Sequence, residues 1–111
     1  MAMELVLLSD VPLTADLMAA TAAQVIPDGV GIEYRDGEVT QFVDANGAQV
    51  LTIFDPVSVH VPDEARAMLK DPPLSFALWT EMTVPFEASA AARPLAEALA
   101  RSVRGVVREK L

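Results

Sequence analysis

The sequence predicts an α+β domain, a mainly antiparallel sheet of five to six strands with two main helices on one face. Three observations predict it. Segments with helical spacing stand near the two ends of the chain, and short alternating segments fill the middle. An Asp-Gly pair separates two alternating segments, the signature of a tight hairpin. The 111 residues hold no internal repeat, and that length suits one hydrophobic core and one domain over residues 1–111.

Met3 to Leu8 is an apolar run closed by Ser9-Asp10 and Pro12, short enough for a buried strand. Thr14 is placed to cap a helix with Asp16 in its first turn, and Pro27-Asp28-Gly29 ends it after about Ile26. Leu17, Met18, Thr21 and Val25 share one side of that helix, and Ala15, Ala19, Ala22 and Ala23 lie on the other. The hairpin follows. A type I′ turn at Asp36-Gly37 sets Arg35 opposite Glu38, Tyr34 opposite Val39 and Glu33 opposite Thr40. Asp44-Ala45-Asn46-Gly47 makes a second turn into a third strand, Gln49 to Phe54.

Asp55-Pro56 breaks the chain, and Val57 to Val61 alternates as a short strand with one wet face. Pro62-Asp63-Glu64 opens a short helix or turn to about Leu69, and Asp71-Pro72-Pro73 is a rigid loop. Leu74 to Val84 is the longest predicted strand. It sets Leu74, Phe76, Leu78, Thr80, Met82 and Val84 on the helix side and Trp79, Glu81 and Thr83 on the other. A final amphipathic helix is expected from about Ala88 to Glu109. Leu95, Leu99, Val103 and Val106 form its apolar side, and Arg93, Glu97, Arg101, Arg104 and Arg108 lie opposite. The order β-α-β-β-β-β-(short α)-β-α resembles ferredoxin-like folds by analogy, a class that hosts many unrelated functions.

Composition narrows the function by exclusion. A net charge of −8 argues against general nucleic-acid binding. The absence of cysteine excludes disulfides, thiol nucleophiles, thiolate zinc sites and iron–sulfur clusters. No stretch approaches the ~20 apolar residues of a membrane helix. The Leu5–Leu8 run is too short for a signal peptide, so a cytoplasmic protein is expected. Abundant alanine, with arginine in excess over lysine, points to a bacterial source. There is no G-x-x-x-x-G-K-[ST], G-x-G-x-x-G or G-x-S-x-G motif, and no EF-hand loop. Catalytic residues, a metal and a cofactor are therefore not expected.

Two candidate surfaces remain. Trp79, the sole tryptophan, faces away from the helices beside Glu81; with Glu33 and His60, the sole histidine, it marks a ligand or partner surface. A lone strand histidine without an orienting partner is more simply a half-exposed residue, and Trp79 more simply packing. The second surface is the arginine stripe of the final helix, Arg93, Arg101, Arg104 and Arg108, which suits an anion or an acidic partner. Its bland counterpart is a solvated helix face. The alanine side of the first helix (Ala19, Ala22, Ala23), or a strand edge with the Trp79 face, offers a homodimer contact.

The expected function is that of a small acidic, non-enzymatic protein-interaction module of the inhibitor, immunity or regulatory kind, binding a protein partner or itself. The alternative is a small-molecule-binding or enzymatic α+β domain with its site on the sheet face near Trp79.

Overall fold

The computed structural model describes residues 3–73, 75–85 and 90–111. It is α+β, with one mostly antiparallel sheet and two α-helices, joined by two 3-10 turns. Its strands are β1 (Met3–Ser9), β2 (Val30–Tyr34), β3 (Val39–Val43), β4 (Gln49–Phe54), β5 (Val57–Ser58), β6 (Leu78–Val84) and β7 (Val106–Glu109). The helices are α1 (Ala15–Val25) and α2 (Ala92–Ser102). In space the strands run β2-β3-β4-β6-β1-β7, and β5 pairs with β6 alone. Among the described residues each of the six strands in the expected order forms in whole or in part, and β7 is added where a helix was expected.

β1 reads as an unbroken apolar run because both its faces are covered. Leu5 and Leu7 enter a core with the two helices, and Val6 and Leu8 enter a second cluster on the opposite face. All four are essentially fully buried, each stabilising the fold by about 1.5–3 kcal/mol. The helix-side core adds Leu51, Ile53, Met82 and Val107 from the sheet, Leu95 and Leu99 from α2 and Val103 just past its end, with Leu17, Met18 and Val25 of α1 packed against it.

α1 forms where the sequence places it. Thr14 Oγ1 accepts the Leu17 N–H at 3.2 Å, and Ile26 caps the other end. The Asp36-Gly37 turn also forms. Asp36 (φ 57°) and Gly37 (φ 91°) take the positive φ that type I′ requires, and the Glu38 N–H donates to the Arg35 carbonyl at 3.2 Å. The flanks are less regular than expected: Arg35 is also left-handed and Glu38 is helical, so the ladder stops at Tyr34–Val39. In the second turn Asp44 Oδ1 accepts N–H groups from Asn46 and Ala48.

Three expectations are corrected. The long strand is shorter: β6 begins at Leu78, and Phe76 turns into the far-side cluster with Ala65 and Leu69 rather than toward the helices. Leu74, expected in that strand, and Ala88, expected to start the last helix, lie outside the described residues. The expected strand Val57 to Val61 keeps only Val57–Ser58, with one further bond from Val59 N–H to the Ala77 carbonyl, while the short helix or turn expected after it forms as a 3-10 turn over Pro62–Ala67.

The largest correction is at the C-terminus. The helix expected to reach Glu109 ends at Ser102, and Val106–Glu109 is a strand beside β1. The stop is a Schellman motif. Gly105 N–H donates to the Ala100 carbonyl at 2.8 Å and Arg104 N–H to the Arg101 carbonyl at 3.2 Å, with Arg104 left-handed at φ 55°. The left-handed place is usually glycine; here it is arginine, and the glycine comes one residue later. The β-branched pair Val106-Val107 then favours a strand.

Candidate functional site

Helices cover one face of the sheet. On the other face the 62–69 segment packs over β1, where Ala65 and Leu69 meet Val6, Leu8 and Phe76. Beside it lies an open groove of about 440 Å³, lined by Phe54, Asp55, Val57, Val59, Val61, Glu64, Ala65, Met68, Trp79 and Glu81. The strand break at Asp55-Pro56 shapes it. β4 and β5 pair with the same strand at different places, Ile53 with Met82 and Val57 with Trp79. Pro56 has no N–H to continue a ladder.

The lining is unusually bare of cover. Phe54, Val57, Val61 and Met68 are 39%, 61%, 52% and 49% exposed, four of the chain's exposed large apolar residues gathered in one place. Trp79 lines the groove, half-buried against the far-side cluster. Its indole N–H points to Glu81 Oε1 at 3.4 Å, and Lys110 Nζ meets the same oxygen at 2.7 Å. Lys110 also reaches Glu4 at 3.6 Å. Lys110 holds the Glu81 carboxyl below its usual range, against the opposing effect of burial and with help from the indole. The lysine is raised in return, chiefly by its bond to Glu81. Asp55 and Glu64 form no ion pair among the described residues, so the rim carries two uncompensated carboxylates.

Of the four residues expected to form this surface, the structure brings Trp79 and Glu81 together. His60 is exposed and lies outside the lining, between two valines that belong to it. Glu33 sits far away on β2, where it lines a groove of about 360 Å³ with Ala15, Ala19, Ala22 and Ala23 of α1. The apolar residues Val57, Val59 and Val61 were visible in the sequence as an alternating run. Their side is the open one, the reverse of an ordinary half-buried strand. Met68 gave no signal.

The arginine stripe does not form, because α2 ends before two of its members. Arg93 bonds Glu97 and Glu109, each at 3.3 Å. Arg101 stays exposed on the helix and Arg104 occupies the turn. Arg108 lies in β7, where its Nε donates to the Asp71 carbonyl at 2.7 Å. No helix among the described residues is long and apolar enough to cross a membrane. Comparisons with protein families, curated proteins and solved structures returned no match.

Proposed function

We propose that this chain is a protein-interaction module, of the inhibitor, immunity or regulatory kind, whose docking site is the Trp79 groove. The observation that carries the reading is the exposure of Phe54, Val57, Val61 and Met68 around a half-buried tryptophan, on the face the helices leave open. Aromatic anchors among aliphatic neighbours are the usual composition of an interface centre. The occupant is a segment of a partner protein with apolar anchors flanked by lysine or arginine. Asp55 and Glu64 supply the complementary charge, and the net charge of −8 steers a basic partner toward it. A small-molecule site would enclose most of its ligand, which an open groove does not do. The order β7-β1-β6-β4, crossed by the two helices, supports reading the scaffold as ferredoxin-like with an added β2-β3 hairpin. That analogy carries no function of its own.

Selection of random displayed peptides against the immobilised protein tests the proposal. Selected peptides are expected to carry aromatic or aliphatic anchors flanked by basic residues, and to shift Trp79 fluorescence. Met68→Asp should weaken them by at least about tenfold, a loss typical of an interface residue, while His60→Ala leaves them unchanged. Failure to select any peptide, selection of acidic peptides, or undiminished binding by Met68→Asp would overturn it.

A further inference from the structure

The two edges of the sheet are finished differently. At β7 the chain covers its own edge. Lys70 N–H donates to the Glu109 carbonyl at 3.0 Å, Leu111 N–H donates to the Met68 carbonyl at 2.8 Å, and Leu69 bridges Lys110. At β2 nothing comparable happens. The strand pairs with β3 on one side, and among the described residues no strand or bridge meets its other side. All five of its residues are exposed. Edge strands are ordinarily protected by charged side chains, above all lysine, by a proline, by a bulge or by a covering segment. β2 has no lysine or proline, its one charge, Glu33, lies on the α1 side with Thr40, and it stays in unbroken register with β3 through all five pairs.

We propose that β2 pairs antiparallel with β2 of a second copy of this chain, about a two-fold axis at Ile32. The strand is complementary to itself in that register. Ile32 falls opposite Ile32 of the second copy, Val30 opposite Tyr34, and Gly31 opposite Glu33. Val30, Ile32 and Tyr34 lie on one face, across from Val43, Gln41 and Val39. They are 56%, 38% and 47% exposed, so the pairing sets every exposed apolar residue of the strand against another. The strand's single charge, Glu33, meets a glycine rather than a carboxylate. A foreign strand would have to bring this pattern with it, whereas a two-fold contact needs only self-complementarity. β3 and β4 separate this edge from β6, so the dimer leaves the Trp79 groove open and the inference stands apart from the groove's role.

Sedimentation equilibrium from low to high micromolar protein tests the dimer, with far-UV circular dichroism confirming that each variant is folded. The unmodified chain is expected to reach twice 11.9 kDa. Ile32→Lys and Ile32→Glu each place like charges on the axis and should raise the dissociation constant by at least about tenfold. An equimolar mixture of the two should restore a dimer, because position 32 faces itself. If either variant loses its dichroism, Val30→Lys mixed with Tyr34→Glu tests the same register through the neighbouring pair, and the mixture should dimerise more tightly than either variant alone. A species of 11.9 kDa at every concentration would overturn the proposal. So would a dimer that both Ile32 variants retain, or charge-paired mixtures no tighter than their components.

Discussion

Gly105 is where the chain turns from α2 into β7, and space rather than backbone conformation requires glycine there. A methyl group at this position would lie 2.6 Å from the Leu8 carbonyl oxygen and 2.9 Å from both Leu7 Cδ1 and Ser9 Cβ. The oxygen belongs to β1, a strand paired on both sides, so it cannot swing away as a flexible side chain would. Overpacking costs about 1–3 kcal/mol, and rigid neighbours put this case at the upper end. Restricting the unfolded chain offsets about 0.4–1 kcal/mol. Gly105→Ala is therefore expected to destabilise by about 2 kcal/mol, which lowers Tm by roughly 8 °C for a chain of this size. Urea unfolding followed by the fluorescence of Trp79 measures it directly. Arg104→Gly provides the contrast: it removes the left-handed strain of an arginine and should stabilise by about 0.5–1 kcal/mol. If Gly105→Ala stays within about 0.5 kcal/mol of the parent, the close approach of turn and strand is wrong.

Two further outcomes follow from groups in β6 and at the C-terminus. Thr80 Oγ1 is buried without a hydrogen-bond partner, so Thr80→Val should raise stability by about 1 kcal/mol, and a fall in the urea midpoint would refute this. Lys110→Met should cost at most about 1 kcal/mol at neutral pH, because Glu81 is 45% exposed. Glu81 is lowered, so its share of stability is present above the ordinary glutamate pKa of about 4.3 and is lost as pH falls through the lowered folded value. Lys110 is raised, so its share is complete below about 10.4 and is lost as pH rises through the raised folded value. The difference between parent and variant should therefore fade at both extremes, and a difference independent of pH would refute the ion pair.

Local chemistry made much of the fold legible. The Thr14 cap, the Asp36-Gly37 turn, the Asp44 turn and the bounds of β4 each depend on a few neighbouring residues, and each forms where the sequence places it. The misreading at residues 103–109 has an equally local cause. Val103 and Val106 continue the apolar spacing of Leu95 and Leu99, so periodicity alone extends the helix, and the arginines continue with it. What ends it is an arginine in the left-handed conformation, which spacing cannot reveal, and a glycine whose role depends on contact with β1. Long-range pairing explains the rest. Phe76 moves to the far face because the chain before Leu78 is not strand, and nothing near Phe76 in sequence reports where Ala65 and Leu69 will be. Trp79 and Glu81 were legible as candidates because alternation fixes which face they share. Met68 and Phe54 join them only through tertiary structure.

The groove and the open edge have a common origin in how this sheet is covered. Two helices of 11 residues each bury one face, and among the described residues the far face receives the short segment around Ala65 and Leu69, which lies over β1. Among those residues β6 and β5, the strands next to it on that face, keep an apolar surface without a lid. Farther out, β3 and β2 present Gln41, Tyr34 and Ile32, with Gln41 bonded to Thr52 of β4 at 3.4 Å. A chain that needed only to stay soluble and monomeric would gain by placing charged residues at Val57, Val61 and Met68, which already face water. A lysine at Ile32 would serve the same end by blunting the edge. Apolar residues at each of these exposed positions, on a chain with sixteen carboxylates, are accounted for by the two proposals together, a partner segment in the groove and a second copy along β2.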